Sequence, residues 1–376
     1  MNKLKIVHVA SEISPYIKTG GLADVVRSLP RALKRLGHQV IVIVPYYQTI
    51  KQGKFKLEKL NYQEEIILNG YSYPVRFYKT ISSDKYPIFF IEQKKLFTSR
   101  HKIYGYPDDG LRFSLFNLAT LKLLTLIKFK PQIIHCHDWQ AGLIPNYLQI
   151  SRRYQKLFKN TATLFTIHNL LWQGPFDWWR VPPEHKDNGQ GLPSIKPKRN
   201  RWLNFTKRAI LYADIINTVS ERYAQEILTK KYGEGLDKYL RRRQTDVHGI
   251  INGIDYKIFN PLFDKNLYYC YDYDSLDKKN KNKTALQRKL SLKIGRDIPM
   301  IGIINRLTEQ KGFELIIQIT DYLLRDNLQI VVVGSGNKKY RDFFHKLAKK
   351  YPQQVAIITP FSEKMSRRVY AASDLY

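Results

Sequence analysis

The run S-E-I-S-P-Y-I-K-T-G-G-L-A-D, Ser11 to Asp24, decides how the rest of the chain is read. An apolar stretch, Ile6 to Ala10, precedes it, and an amphipathic stretch, Leu22 to Leu36, follows it. That order is strand, loop, helix, the unit from which open parallel sheets are built. In such sheets ligands bind where strands end and helices begin. The loop offers one mobile cation, Lys18, then Thr19 and the pair Gly20-Gly21, where a backbone without Cβ lets a ligand come close. The first N–H groups of the following helix favour an anion. Together these features describe a phosphate site; they equally describe a tight turn beside a solvated lysine. The stretch matches neither G-x-G-x-x-G nor G-x-x-x-x-G-K-[ST], so the common nucleotide fingerprints do not account for it.

Outward from this loop, the pattern predicts a helix over 22–36 whose apolar face is Val25, Val26, Leu29, Ala32, Leu33 and Leu36, ended by Gly37. Residues 39–44, Q-V-I-V-I-V, predict the next strand, stopped by Pro45. From 52 to 92 the period falls to two, which predicts short strands near 65–68, 73–78 and 88–91, an Asn69-Gly70 hairpin, and an antiparallel insertion. Helices over 111–129, 139–150 and 201–212 then alternate with strands over 132–136, 161–167 and 215–219. Residues 172–200 carry no period and read as a long loop. Asn252-Gly253-Ile254-Asp255 marks a boundary that closes a first domain, 1–255. Residues 256–298, polar and then Lys-rich, read as an interdomain crossing. A second α/β domain over 299–376 is expected, with strands at 300–304, 329–333 and 355–358 and helices at 313–324, 338–350 and 362–372.

Composition narrows the function classes. A chain of 376 residues, 43% hydrophobic, can build two or three cored domains. Cys136 and Cys270 are isolated, which excludes a disulfide framework and a cysteine zinc site. The N-terminal segment is too short and polar for a signal peptide, and no run of eighteen apolar residues occurs. A cytoplasmic protein with no membrane partner is therefore expected. The net charge of +31 raises nucleic-acid binding. The basic residues are scattered, however, and the clusters Arg241-Arg242-Arg243 and 278–283 read as exposed loop or helix-end surface. Attraction of small anionic substrates is the expectation, with no nucleic-acid partner.

Further constellations lie at strand ends. His135-Cys136-His137-Asp138 closes one strand, and its two histidines point the same way. A metal would need a third ligand that the local sequence does not offer, so this segment reads as a polar site floor. Thr166-Ile167-His168-Asn169 ends the next strand. In the second domain Arg306 and Lys311 span a strand-to-helix loop, as a phosphate grip or as a solvated pair. Gly334-Ser335-Gly336 is a glycine turn after a strand.

The opening K-I-V-H-V-A-S-E-I-S-P-Y-I-K-T-G-G-L-A-D-V, Lys5 to Val25, resembles the start of bacterial glycogen synthases and plant starch synthases, glycosyltransferase family 5. The later segments H-C-H-D-W-Q-A-G-L, T-I-H-N-L-L-W-Q-G, Y-G-E-G-L-D, I-N-G-I-D and R-L-T-E-Q-K-G follow in the family's order. Gln140 stands where the family usually has histidine, and Trp172 where it has Tyr or Phe. The resemblance implies a GT-B fold, two Rossmann-like domains facing across a cleft. It implies that Lys18 and the Gly20-Gly21 backbone meet a nucleotide-sugar with Asp24 close by, and that Asp138 lies in the active-site cleft. It makes His168 the histidine that contacts the sugar, Asn252 a site residue, Arg306 and Lys311 a diphosphate clamp, and Gly334 and Gly336 neighbours of the nucleotide. The implied reaction moves glucose from ADP-glucose to the non-reducing end of an α-1,4-glucan with retention, without cofactor or metal; oligomeric state is left open. The other readings are a sucrose- or trehalose-forming GT-B transferase and a non-catalytic glucan-binding protein. The family's E-P-C-G-L segment and a second T-G-G-L loop do not occur in the 376 residues. The second domain is therefore expected to be incomplete and this piece alone inactive.

Overall fold

The computed structural model describes residues 3–68, 71–177 and 202–376. The Asn69-Gly70 turn and residues 178–200 of the expected loop lie outside the described residues. The chain divides into two compact units, Met1–Gly253 and Ile254–Tyr376.

In the first unit the strands are β1 (Lys5–Val9), β2 (Gln39–Pro45), β3 (Glu58–Leu68), β4 (Tyr71–Ile81), β5 (Pro87–Glu92), β6 (Ile133–His137), β7 (Ala162–Ile167), β8 (Pro175–Asp177), β9 (Trp202–Asn204), β10 (Ile215–Thr218) and β11 (Val247–Gly249). Its helices are α1 (Gly21–Arg35), α2 (Gln48–Gln52), α3 (Asp109–Leu126), α4 (Leu143–Ile150), α5 (Arg152–Leu157), α6 (Phe205–Tyr212), α7 (Glu221–Glu226) and α8 (Asp237–Arg241). One nine-stranded sheet runs β11-β10-β7-β6-β1-β2-β5-β4-β3. From β11 to β5 every pairing is parallel. The near-continuous apolar runs of β1, β2 and β5 suit strands covered on both faces, and Val7, Val9, Val42, Val44 and Phe90 are fully buried.

Several expectations change here. The 52–92 segment has the expected antiparallel pairing, β3 with β4 and β4 with β5, but β5 also joins β2 in parallel, so the segment extends the main sheet. Helix α1 buries Ala23, Val26 and Pro30, whereas Leu36 is exposed. The predicted stripe is turned because Arg31 also faces inward, toward Asp84 at 3.0 Å. The long aperiodic loop is flanked by a two-stranded ribbon, β8 with β9, so α6 begins at Phe205 rather than near 201. Arg243, expected on the surface, donates to the carbonyls of Ile210, Leu211, Ala213 and Asp214 and to Asp246. It satisfies the carbonyls that the end of α6 leaves without helical partners.

The second unit contains β12 (Met300–Ile304), β13 (Gln329–Val333) and β14 (Val355–Ile358), with α9 (Leu276–Lys289), α10 (Phe313–Leu323), α11 (Lys338–Lys350) and α12 (Glu363–Ala372). Its three-stranded parallel sheet runs β12-β13-β14, and Leu375 bridges to Ile301. The Lys-rich run 278–283 lies in α9 within the second unit; Lys278 and Lys281 are exposed as expected, but its C-terminal end turns inward. Lys283 is buried, 2.6 Å from Asp374 and 2.9 Å from the Arg296 carbonyl, while Asn282 braces the backbone of Tyr268 and Tyr269. Among the described residues no helix is long and apolar enough to cross a membrane.

Candidate active site

Parallel pairing sends the C-terminal ends of β1, β6, β7, β10 and β11 to one edge of the sheet, and each end delivers a residue of interest. After β1 the loop is held by Glu12, which is buried yet accepts hydrogen bonds from Thr19 N and Oγ1, both at 2.5 Å, and from the Tyr104 hydroxyl at 2.6 Å. Beyond that brace, Lys18 meets Asp24 at 2.8 Å, so it is an ion-paired lysine at a helix start rather than a free one. A Cβ on Gly20 or Gly21 would meet nothing within 4 Å, so the protein's own packing does not require glycine there.

After β6, Asp138 takes φ +54°, a left-handed conformation that costs a non-glycine residue roughly 1–3 kcal/mol and gathers at functional sites. Its Oδ1 accepts the His168 N–H at 2.8 Å, so the tips of β6 and β7 are tied together. Burial pushes the Asp138 carboxyl up to about 7, against the opposing pull of the His168 and Asn169 backbone N–H groups, with Glu12 adding to the rise. A carboxyl poised near neutrality beside a histidine is a common signature of a reactive site. Gly174, at φ +58°, lies where a Cβ would come within 2.3 Å of the Trp139 ring, so here glycine is sterically demanded.

The histidines gather. His8 on β1 is the register partner of His135 on β6, and His137 lies two residues on, on the same face. His8 Nδ1 and His137 Nε2 are 3.1 Å apart, as are His137 Nδ1 and His168 Nε2. His135 stacks on His137 with ring centroids 4.0 Å apart, and its Nε2 meets Thr166 Oγ1 at 2.5 Å. The Thr166 hydroxyl donates to Asn217 on β10. Burial holds His8 down at about 3, His168 at about 4, and His135 and His137 well below the usual imidazole range. All four rings are neutral at physiological pH.

The third imidazole that the local sequence did not offer is therefore His8, brought by β1. One nitrogen from each of His8, His135 and His137 lies within 4.8 Å of the others. Both nitrogens of His137 nevertheless face other imidazoles rather than a common point. His8 and His137 are instead joined in a hydrogen-bonded row with His168, while His135 is spent on Thr166.

In the second unit the two expected motifs meet. Leu307 N donates to the Ser335 carbonyl at 2.9 Å, and Asn337 N to the Leu307 carbonyl at 2.7 Å. A Cβ on Gly334 would fall 2.2 Å from the Asn305 carbonyl oxygen, and one on Gly336 2.4 Å from that of Leu307. These glycines are demanded by the close approach of the two loops. Arg306 and Lys311 are exposed, and among the described residues neither side chain has a hydrogen bond or ion pair. Asn252 is exposed just after β11.

Glu12, Tyr104, His8, Thr166 and Asn217 were not expected as site residues. Glu12 lies inside the opening stretch, but only the folded loop brings it to Thr19. His8 carried no signal, because a histidine within an apolar run is assigned a partner only by strand order.

Comparison with known proteins places these features in a family. A model of the starch synthase catalytic domain matches residues 5–242. The glycogen synthase of Moorella thermoacetica is 41% identical over 382 aligned positions, covering 100% of this chain and 76% of that protein. The glycogen synthase of Pseudothermotoga lettingae is 39% identical, covering 99% of this chain and 77% of that protein. Among solved structures, the catalytic domain of starch synthase IV from Arabidopsis thaliana, bound to ADP and acarbose, superposes with a TM-score of 0.90 at 32% identity, covering 100% of this chain and 78% of that one.

Proposed function

Because the chain belongs to the starch synthase catalytic domain family, glycosyltransferase family 5 with the GT-B fold, we propose that it transfers glucose from ADP-glucose to the non-reducing end of an α-1,4-glucan with retention of configuration. One observation carries the reading: Asp138 and His168 directly follow the neighbouring strands β6 and β7, and Lys18 lies in the loop from β1 to α1, on the edge where such sheets bind ligands. That the Arabidopsis relative was solved with ADP and acarbose supports a nucleotide-sugar donor and a glucan acceptor.

In this reading the departing diphosphate is neutralised by Lys18 from the first domain, 1–255, and by Arg306 and Lys311 from the second, 299–376. Stabilising charge where it develops is usually the largest catalytic term. Arg306 suits bidentate contact with phosphate oxygens, and Lys311 acts as a point charge. Among the described residues both are uncommitted to other groups, which leaves them available. Lys18 exchanges its contact with Asp24 for phosphate. Gly20 and Gly21, free of steric demand from the chain itself, keep room for the ligand, while Gly334 and Gly336 shape the nucleotide side and Asn252 approaches the sugar. His168, neutral, hydrogen-bonds the sugar rather than protonating it, and Asp138 lies beside it. No metal is required, because three cations serve the diphosphate. The site is cytoplasmic in this proposal.

The test is incorporation of radiolabelled glucose into glycogen from ADP-glucose and, in parallel, from UDP-glucose. It is run on the 376-residue chain and on one extended through E-P-C-G-L and T-G-G-L segments. Transfer by the extended chain, with ADP-glucose preferred and little transfer by the shorter one, is expected. Absence of transfer from either donor by the extended chain overturns the proposal.

A further inference from the structure

Behind His168 lies a buried row of imidazoles, His137 and then His8. We propose that His8, His137 and His168 form a hydrogen-bonded relay that fixes His168 as the Nδ1–H tautomer, so that His8 and His137 are positioning residues for the donor-sugar site. The proposal rests on the reading of His168 given above.

Consider the proton count. Each neutral ring carries one N–H, and each contact in the row joins two ring nitrogens at 3.1 Å, so one must donate and the other accept. Only two self-consistent arrangements exist. In one, all three protons sit on Nδ1: His8 donates to His137, and His137 donates to His168. In the other, all three sit on Nε2, and every bond is reversed.

His8 decides between them. Its Nε2 is buried and, among the described residues, has no hydrogen-bond partner. In the first arrangement that atom is a bare acceptor; in the second it is an orphaned N–H. Buried N–H groups without partners are the rarer of the two in folded proteins. The proton therefore stays on His8 Nδ1, and the choice propagates along the row. His168 Nε2 is occupied as an acceptor, and its Nδ1–H is left as the donor. Among the described residues that Nδ1 has no partner of its own, so it is free for a ligand.

The surroundings keep the row from rotating or ionising. His135 stacks at 4.0 Å on His137 and fixes its ring plane. His135 is itself pinned: Thr166 gives its hydroxyl proton to Asn217, so its oxygen accepts from His135 Nε2–H. Burial keeps the rings neutral, with His8 held at about 3 and His168 at about 4. The tautomer at the site is thus set two side chains away, by the nitrogen the other end of the row leaves unpaired.

The test uses protein labelled with ¹⁵N at histidine, with heteronuclear spectra that distinguish protonated from bare ring nitrogens. The wild type is expected to show His8, His137 and His168 each protonated at Nδ1. In His137→Phe, His168 is expected to revert toward the Nε2–H form that a free imidazole side chain favours. His137→Asn, whose amide N–H replaces the Nδ1–H donor, is expected to retain the wild-type tautomer. In the enzyme extended as above, kcat is expected to fall roughly 10–100-fold in His137→Phe, as for supporting residues of other sites, with KM for ADP-glucose little changed and partial rescue in His137→Asn. A wild-type spectrum with His168 protonated at Nε2 overturns the relay, and it needs no variant to fold. A correct tautomer that responds to His137→Phe without any change in transfer leaves the relay standing and removes His168 from the sugar site.

Discussion

The substitution Asp138→Asn tests the electrostatics of the site directly. The wild-type carboxyl is pushed up to about 7 from an ordinary 3.8, chiefly by burial. A tenfold change in proton affinity is worth about 1.4 kcal/mol, so keeping this group ionised in the fold costs roughly 4 kcal/mol at alkaline pH. Asp138 as a residue is only half-buried, which makes that figure an upper bound. The sign follows from linkage. Between about pH 4 and 7 the unfolded chain has lost this proton while the folded one keeps it, so stability falls as pH rises through that window and levels off above it. Between about pH 5 and pH 8 the loss is roughly 2–3 kcal/mol. The asparagine side chain carries no charge, and its carbonyl oxygen can still accept the His168 N–H. The variant should therefore gain on the wild type by up to that amount over the same interval. The four buried histidines contribute a slope of opposite sign, since the unfolded chain binds their protons at low pH, but this is common to both proteins and cancels in the difference. Urea titrations followed by tryptophan fluorescence are the assay. All five tryptophans, Trp139, Trp172, Trp178, Trp179 and Trp202, belong to the first unit, so the signal reports on the unit that contains Asp138. A difference that stays flat from about pH 5 to pH 8 would refute the assignment of a neutral, desolvated carboxyl. Loss of glucose transfer in the stabilised variant is expected alongside, as a cost of strain and burial kept for function.

Other perturbations read other parts. Lys311→Ala should reduce kcat/KM for ADP-glucose by the equivalent of roughly 2–5 kcal/mol, as for a desolvated charge partner; an unchanged value in steady-state kinetics removes Lys311 from the diphosphate site. Transfer activity should survive incubation with EDTA, and loss restored by added zinc or manganese would show that a metal is used after all. Glu12→Gln weakens the charge-assisted bonds to Thr19 and Tyr104, and should cost roughly 1.5–3 kcal/mol in urea unfolding and raise KM for the donor. Stability and KM both at wild-type level would mean that Glu12 does not brace the loop. Lys283→Met keeps the stem volume but deprives Asp374 of its charged partner at 2.6 Å, leaving it only the Met300 N–H; because Asp374 is partly exposed, a loss of only roughly 1–3 kcal/mol in thermal unfolding is expected. An unchanged Tm would return that lysine to the surface role its sequence context suggests.

The opening stretch by itself determined a great deal. An apolar run, a glycine loop and an amphipathic run can be strand, turn and helix only in that order, because side-chain period and backbone freedom are local properties. The same logic made β2, β6, β7, β12 and β13 legible, and with them the residues at their tips, Lys18, Asp138, His168 and Arg306. Order and register across the sheet are not local. Nothing in Ile6 to Ala10 reveals that β1 will lie against β6, and without that neighbour His8 is only a polar interruption in an apolar strand. Helix α1 was given the wrong buried face because Arg31 finds Asp84 from a distant segment, and a paired guanidinium can turn inward where an isolated one cannot. Lys283 and Arg243 were read as solvated for the same reason: a charge is buried only when the fold supplies partners, here Asp374 for one and the carbonyls ending α6 for the other. Residue type and spacing thus set the elements and their tips, while long-range pairing decided which polar side chains left water and which nitrogen of His168 faces His137.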